Sequence, residues 1–117
     1  MRKIIALIFI LLVLPAWGQN LSTDQKQYFA PENLMVDVRT PSEYAYGHIE
    51  KAVNIPLDKL TEDIKYFAPD KEKTIVVYCL SGSRANIAVR RLKGLGYKNI
   101  INAGRYKDLK ALEEEMK

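Results

Sequence analysis

This chain is poor in the residues that most often carry chemistry. Its 117 residues hold one cysteine and one histidine. One cysteine forbids an internal disulfide, so the fold must rest on a packed core. No histidine–cysteine–carboxylate cluster has metal-ligand spacing, so no metal is expected, and nothing implies another cofactor. A strong charge of one sign is also lacking. Eighteen Lys and Arg stand against fourteen Asp and Glu, a net +4 that falls to +2 once Arg2 and Lys3 are set aside. No basic stripe is interleaved with aromatics, which leaves no case for nucleic acid. This charge supports only a modest preference for anionic partners. There is no internal repeat and no low-complexity stretch.

Long apolar runs are scarce too. The single one, Ile4 to Leu14, has eleven residues, short of the about 20 that span a bilayer. It follows the basic pair Arg2-Lys3 and ends at Pro15. Ala16-Trp17-Gly18 then supplies small residues at the outer and inner positions of a cleavage site. Residues 1–18 read as a secretory signal peptide, with the mature chain starting at Gln19. No cysteine follows Gly18 to take a lipid, so no stable membrane anchor is expected. The remaining 99 residues, 19–117, are one domain with enough length to bury a core. Nothing in them demands more than a monomer.

What is present alternates between strand and helix patterns. Leu34 to Val38 suits a buried strand. Thr40 is an N-cap before Pro41 at the first helical position, and Glu43 adds a carboxylate to the first turn. That helix should run to Tyr46 and stop at Gly47. Ala52 to Ile55 is a second short strand. Leu57, Leu60, Ile64 and Phe67 mark one face of a helix over 58–67. Thr74 to Tyr78 is the central strand, and a helix starts at Ser83. Gly94 and Gly96 stop it. Asn99 to Ile101 is a further strand. A last helix over 107–116 points Leu109 and Leu112 inward and leaves Glu113 to Glu115 as a solvated face. Strands separated by helices imply an α/β domain, a mostly parallel central sheet with helices on both faces. Sites in such sheets form at the carboxyl ends of the strands.

Cys79 stands at such an end. Thr74-Ile-Val-Val-Tyr-Cys79 leads into Leu80-Ser81-Gly82-Ser83-Arg84, where a helix begins. That geometry aims backbone N–H groups and the positive end of a helix at one sulfur, which points to a reactive thiolate. Asp37-Val38-Arg39 lies at the end of another strand and can meet it.

Asp37-Val-Arg39-Thr-Pro-Ser-Glu43-Tyr-Ala-Tyr-Gly47-His48-Ile49, continuing through Ala52-Val-Asn54-Ile55-Pro56, resembles the opening signature of rhodanese-like domains. Cys79-Leu-Ser-Gly82-Ser-Arg84 resembles their active-site loop, and Lys93-Gly94-Leu95-Gly96-Tyr97 the helix end that follows. The likeness covers about residues 34–103. A small secreted single-domain form is similar to the periplasmic thiosulfate sulfurtransferases of bacteria, which implies a periplasmic or secreted bacterial protein. The resemblance implies a two-step covalent transfer, in which the Cys79 thiolate takes the outer sulfur of a small anionic donor such as thiosulfate. A thiol or cyanide acceptor then removes it.

By the same resemblance Cys79 is the nucleophile, and Leu80, Ser81, Gly82, Ser83 and Arg84 form the loop that binds the sulfur and its donor. Arg84 is the candidate for the donor's anionic end, since its fork suits sulfonate oxygens. Arg39 joins the substrate-binding set, although Asp37 and Arg39 also read as a structural pair. Asp37 and His48 are placed as structural support. Three positions depart from the family pattern. Leu80 replaces a frequent basic residue, Lys51 replaces a glycine, and Ala103-Gly104-Arg105-Tyr106 replaces a double glycine and tryptophan. Two other readings stay open. One is a sulfur carrier with little thiosulfate turnover. The other is a phosphatase or arsenate reductase on the same fold, against which the short Cys79–Arg84 loop argues, since phosphate needs a longer one.

Overall fold

The structure, a computed structural model, describes residues 25–117. The signal-peptide segment 1–18 and its boundary at Gln19 lie outside the described residues. Four strands, β1 (Leu34–Asp37), β2 (Val53–Asn54), β3 (Thr74–Cys79) and β4 (Asn99–Arg105), form one sheet in the order β2-β1-β3-β4. All pairings are parallel. Four helices connect and follow them: α1 (Pro41–Tyr46), α2 (Leu60–Phe67), α3 (Ser83–Gly94) and α4 (Tyr106–Glu115). Among the described residues no helix is long and apolar enough to cross a membrane.

The period of two along each strand builds two cores. Val36, Val38, Ile75, Val77 and Cys79 pack with Leu60, Ile64, Ala85, Ala88 and Leu92, so α2 and α3 cover this face. Met35, Val76 and Tyr78 face the other way, against Ile49 and Leu109. Tyr78, at the centre of that layer, is a wholly buried tyrosine. Its Oη accepts a hydrogen bond from the Ile49 N–H at 3.1 Å, and burial pushes its phenol far above the usual range.

The α1 start is as the sequence predicts. Thr40 caps it with a reciprocal capping box to Glu43, and Pro41 opens the helix. The 58–67 segment differs, opening with a 3-10 turn (Leu57–Lys59) before α2. β4 runs four residues beyond the expected Ile101, to Arg105. It does so through a register shift: Val77 pairs with Asn102 but Tyr78 with Gly104, leaving Ala103 as the extra residue. Glu113 corrects the expected solvated face. It is 7% exposed, accepts the Glu50 N–H at 2.8 Å, and is paired with Lys110 at 2.7 Å. Lys51, where the family carries glycine, donates to the Ala30 carbonyl at 2.6 Å and ties down the N-terminal segment.

Candidate active site

β3 delivers Cys79 to the carboxyl edge of the sheet, where the chain turns into α3. Gly82 makes that turn with φ +100°, a left-handed conformation that side chains resist. The turn folds the loop back on its own sulfur. The Gly82 N–H donates to Cys79 Sγ at 2.9 Å and the Ala85 N–H at 3.4 Å. The N–H groups of Leu80, Ser81, Ser83 and Arg84 donate to no protein acceptor among the described residues. The loop is therefore a concentration of backbone donors around a sulfur, topped by the start of a twelve-residue helix. Such a nest stabilises negative charge.

Cys79 is itself fully buried, and the loop crest above it is exposed. Leu80 presents an apolar side chain to solvent, 53% exposed. The Ser81 and Ser83 hydroxyls sit 3.2 Å apart on the same crest.

Arg84 makes a contact that its neighbours in sequence do not announce. Its Nη1 and Nη2 donate to the two carboxylate oxygens of Glu43 at 2.7 and 3.0 Å. A bidentate pair of this kind holds geometry as well as charge. Arg84 thus braces the loop against α1. Glu43 was not among the predicted site residues. It also accepts the Thr40 N–H at 3.0 Å, so one carboxylate closes the α1 cap and anchors the loop. The Arg84 hydrogen bonds hold its carboxyl down at about 2.

Arg39 departs from its expected contact with substrate. It is 3% exposed. Its Nε and Nη2 donate to Asp37 at 3.0 and 2.7 Å, Nη2 also reaches the Gly47 carbonyl at 2.7 Å, and its guanidinium lies 4.3 Å from the Tyr106 ring centroid. Asp37 and Arg39 are a buried pair beneath the site. Burial works against the Arg39 charge, but the Asp37 carboxylate outweighs it and raises the guanidinium above its ordinary value. Asn54 Nδ2 staples the same turn, donating to the Asp37 and Arg39 carbonyls at 2.9 and 3.0 Å. His48 donates from Nδ1 to the Tyr44 carbonyl at 2.8 Å and stacks on the Tyr44 ring at 3.7 Å. It fixes the chain after α1.

Two features border the loop. A groove of about 280 Å³ runs past Thr40, Leu57, Asp58, Arg84 and Arg91. On the opposite side β4 ends beside Gly82, with Arg105 paired in register with Cys79. Among the described residues no three metal-ligating side chains come together.

The comparisons agree with this geometry. Residues 16–109 match the rhodanese-like domain family. Thiosulfate sulfurtransferase PspE of Escherichia coli (strain K12) is 41% identical over 81 residues, 69% of this chain and 77% of that protein. A tRNA uridine(34) hydroxylase of Yersinia enterocolitica is 35% identical over 91 residues, but this chain spans only 26% of its length. Among solved structures, a rhodanese with anions from E. coli superposes with TM-score 0.63 at 39% identity, covering 65% of this chain and 89% of that one. A human single-domain sulfurtransferase, TSTD1, gives 0.60 at 28% identity over 84% and 92%. Sulfurtransferases stand among these relatives, and this chain belongs to the rhodanese-like domain family.

Proposed function

We propose that the protein is a sulfurtransferase that carries a sulfane sulfur on Cys79 as a persulfide, with thiosulfate or a similar small anion as donor. The observation that carries this reading is the donation of two backbone N–H groups to Cys79 Sγ inside a loop whose other N–H groups meet no acceptor among the described residues. The Cys79 thiolate attacks the outer sulfur of thiosulfate. The new S–S bond forms as the old one breaks, and sulfite leaves with the electron pair. The persulfide carries one negative charge, which the loop N–H groups stabilise as an oxyanion hole would. A cyanide or thiolate acceptor then attacks the outer sulfur, leaving as thiocyanate or as a new persulfide and returning the Cys79 thiolate. No general base is needed once the thiol is ionised, and His48 is committed to Tyr44. The PspE relative supports thiosulfate as donor, and the N-terminal pattern of residues 1–18 supports export as the setting.

Leu80 favours a second reading. An exposed apolar residue on the loop crest suits a protein partner better than a small dianion, which describes a carrier loaded by another protein. Intact-mass measurement after mixing with thiosulfate tests both, beside a Cys79→Ser control. A gain of one sulfur atom that the control lacks and cyanide removes is the expected result. No gain rejects thiosulfate as donor and leaves the carrier reading.

A further inference from the structure

We propose that Arg105 binds the anionic end of the sulfur donor, the role expected of Arg84. The inference rests on the sulfurtransferase reading and names the side chain that selects its substrate.

The loop's one cation, Arg84, is in a less exposed pair than Arg105, its side chain 30% exposed against 56%. Both terminal nitrogens of Arg84 are held by Glu43, Arg39 is buried against Asp37, and Leu80 is neutral. A dianion approaching Cys79 therefore finds the more open cation outside the loop. The end of β4 provides it through its register shift. Were the register unshifted, Ala103 would stand opposite Tyr78 and Gly104 opposite Cys79. With the shift, Arg105 pairs with Cys79. Paired residues of parallel strands share a face, and a one-residue slip exchanges the faces. The shift thus turns Arg105 to the side where Cys79 and α3 lie. Its stem passes beside the loop, for a Cβ built on Gly82 would meet Arg105 Cγ at 4.0 Å.

The Arg105 head is in the open, 56% exposed. Asp108 holds it, accepting from Nε at 2.8 Å and from Nη2 at 3.1 Å. An exposed pair of this kind contributes little to stability. Asp108 presents two oxygens to the guanidinium fork much as a sulfonate does. A donor's sulfonate end can replace Asp108 on the fork while its outer sulfur enters the loop. As sulfite leaves, the departing charge stays beside the cation.

The test is steady-state kinetics with thiosulfate and cyanide on Arg105→Gln, Arg105→Lys, Asp108→Asn and Lys107→Gln. For a charge-assisted contact at an open rim, Arg105→Gln should lower kcat/KM for thiosulfate about tenfold and leave kcat/KM for cyanide within about twofold. Arg105→Lys should keep part of the loss back. Asp108→Asn should move the thiosulfate value upward, since it removes the competitor. Lys107→Gln subtracts the same charge two residues along the chain and should change neither. If Arg105→Gln and Asp108→Asn move together, or neither moves the donor step, the inference is overturned and the pair is only structural. Calorimetric binding of thiosulfate to the Cys79→Ser protein, with and without Arg105→Gln, separates this from the function itself. Binding that depends on Arg105 sustains the inference; if the parent protein then gains no sulfur in the mass measurement, thiosulfate transfer alone is overturned. Binding that is absent or indifferent to Arg105 sinks the inference.

Discussion

Arg84 and Glu43, forty-one residues apart in sequence, are joined by two hydrogen bonds of 2.7 and 3.0 Å. Through them the last residue of the cysteine loop is fixed to the first turn of α1. The carboxylate does double duty, because it also receives the Thr40 N–H that closes the helix cap. Two variants separate these roles. Glu43→Gln retains one oxygen, which can still accept from Thr40 and Arg84 Nη1, but removes the charge and the acceptor for Arg84 Nη2. Glu43→Ala removes everything. We expect Glu43→Ala to cost about 1–2 kcal/mol in urea unfolding, the sum of a lost cap contact and a part-buried pair. Glu43→Gln should cost less than half of that. Both should lower sulfur transfer, since the loop loses its brace in each. Equal destabilisation by the two would show that the cap contributes nothing.

The same carboxyl sets a pH dependence. Its folded value, about 2, lies below the ordinary 4.5 because Arg84 hydrogen-bonds the ionised form. A carboxyl depressed on folding stabilises the fold above its unfolded value, and that contribution is lost as pH falls toward its folded one. Glu113 and Asp108 are shifted the same way. Unfolding free energy should therefore hold steady near neutrality and decline between about pH 4.5 and 2. Glu43→Gln should flatten part of that slope. An unchanged slope in the variant would mean that Glu43 is not depressed.

Much of this arrangement is legible in the sequence where contacts are local. The strand period over 34–38 and 74–78, the Thr40–Pro41 cap and the Cys79 loop are each written within a few neighbouring residues, and each stands in the structure. The unread parts depend on distant partners. Nothing near Arg84 announces that Glu43 will take both its terminal nitrogens, although the capping-box spacing of Thr40 and Glu43 marks that carboxylate as fixed in place. Glu113 reads as solvated because its neighbours are glutamates, yet the Glu50 N–H, sixty-three residues away, draws it inward. The path of β4 past Ile101 is hidden by Asn102 and Gly104, poor strand formers that the register shift accommodates.

Arg39 tests whether the buried pair under the site is structural. Its guanidinium is held by Asp37, the Gly47 carbonyl and the Tyr106 ring. Arg39→Leu leaves the Asp37 carboxylate buried without its cation, which should cost about 3–5 kcal/mol in denaturant unfolding. The double variant Asp37→Leu with Arg39→Leu should recover a large part of that loss, because no unpaired charge remains. If Arg39→Leu is as stable as the parent while the donor KM rises, Arg39 contacts substrate instead.

Gly82 and Gly94 make the last comparison, since they bracket the same helix and should respond oppositely to alanine. A Cβ on Gly82 meets only Arg105 Cγ at 4.0 Å, so there is room for it. The obstacle is the backbone, whose φ of +100° an L side chain adopts at a cost of about 1–2 kcal/mol. The chain can relieve that strain by turning the Gly82 N–H away from Cys79 Sγ. Gly82→Ala should then fold, lose about that much stability and lose sulfur transfer well beyond it. Gly94 ends α3 with no atom within 4 Å of a built Cβ and no positive φ. Alanine there should gain about 0.5–1 kcal/mol from helix propensity and leave sulfur transfer unchanged. Thermal unfolding together with mass-detected persulfide formation reads both. Equal activity in the two variants would mean that the Gly82 turn does not hold the sulfur.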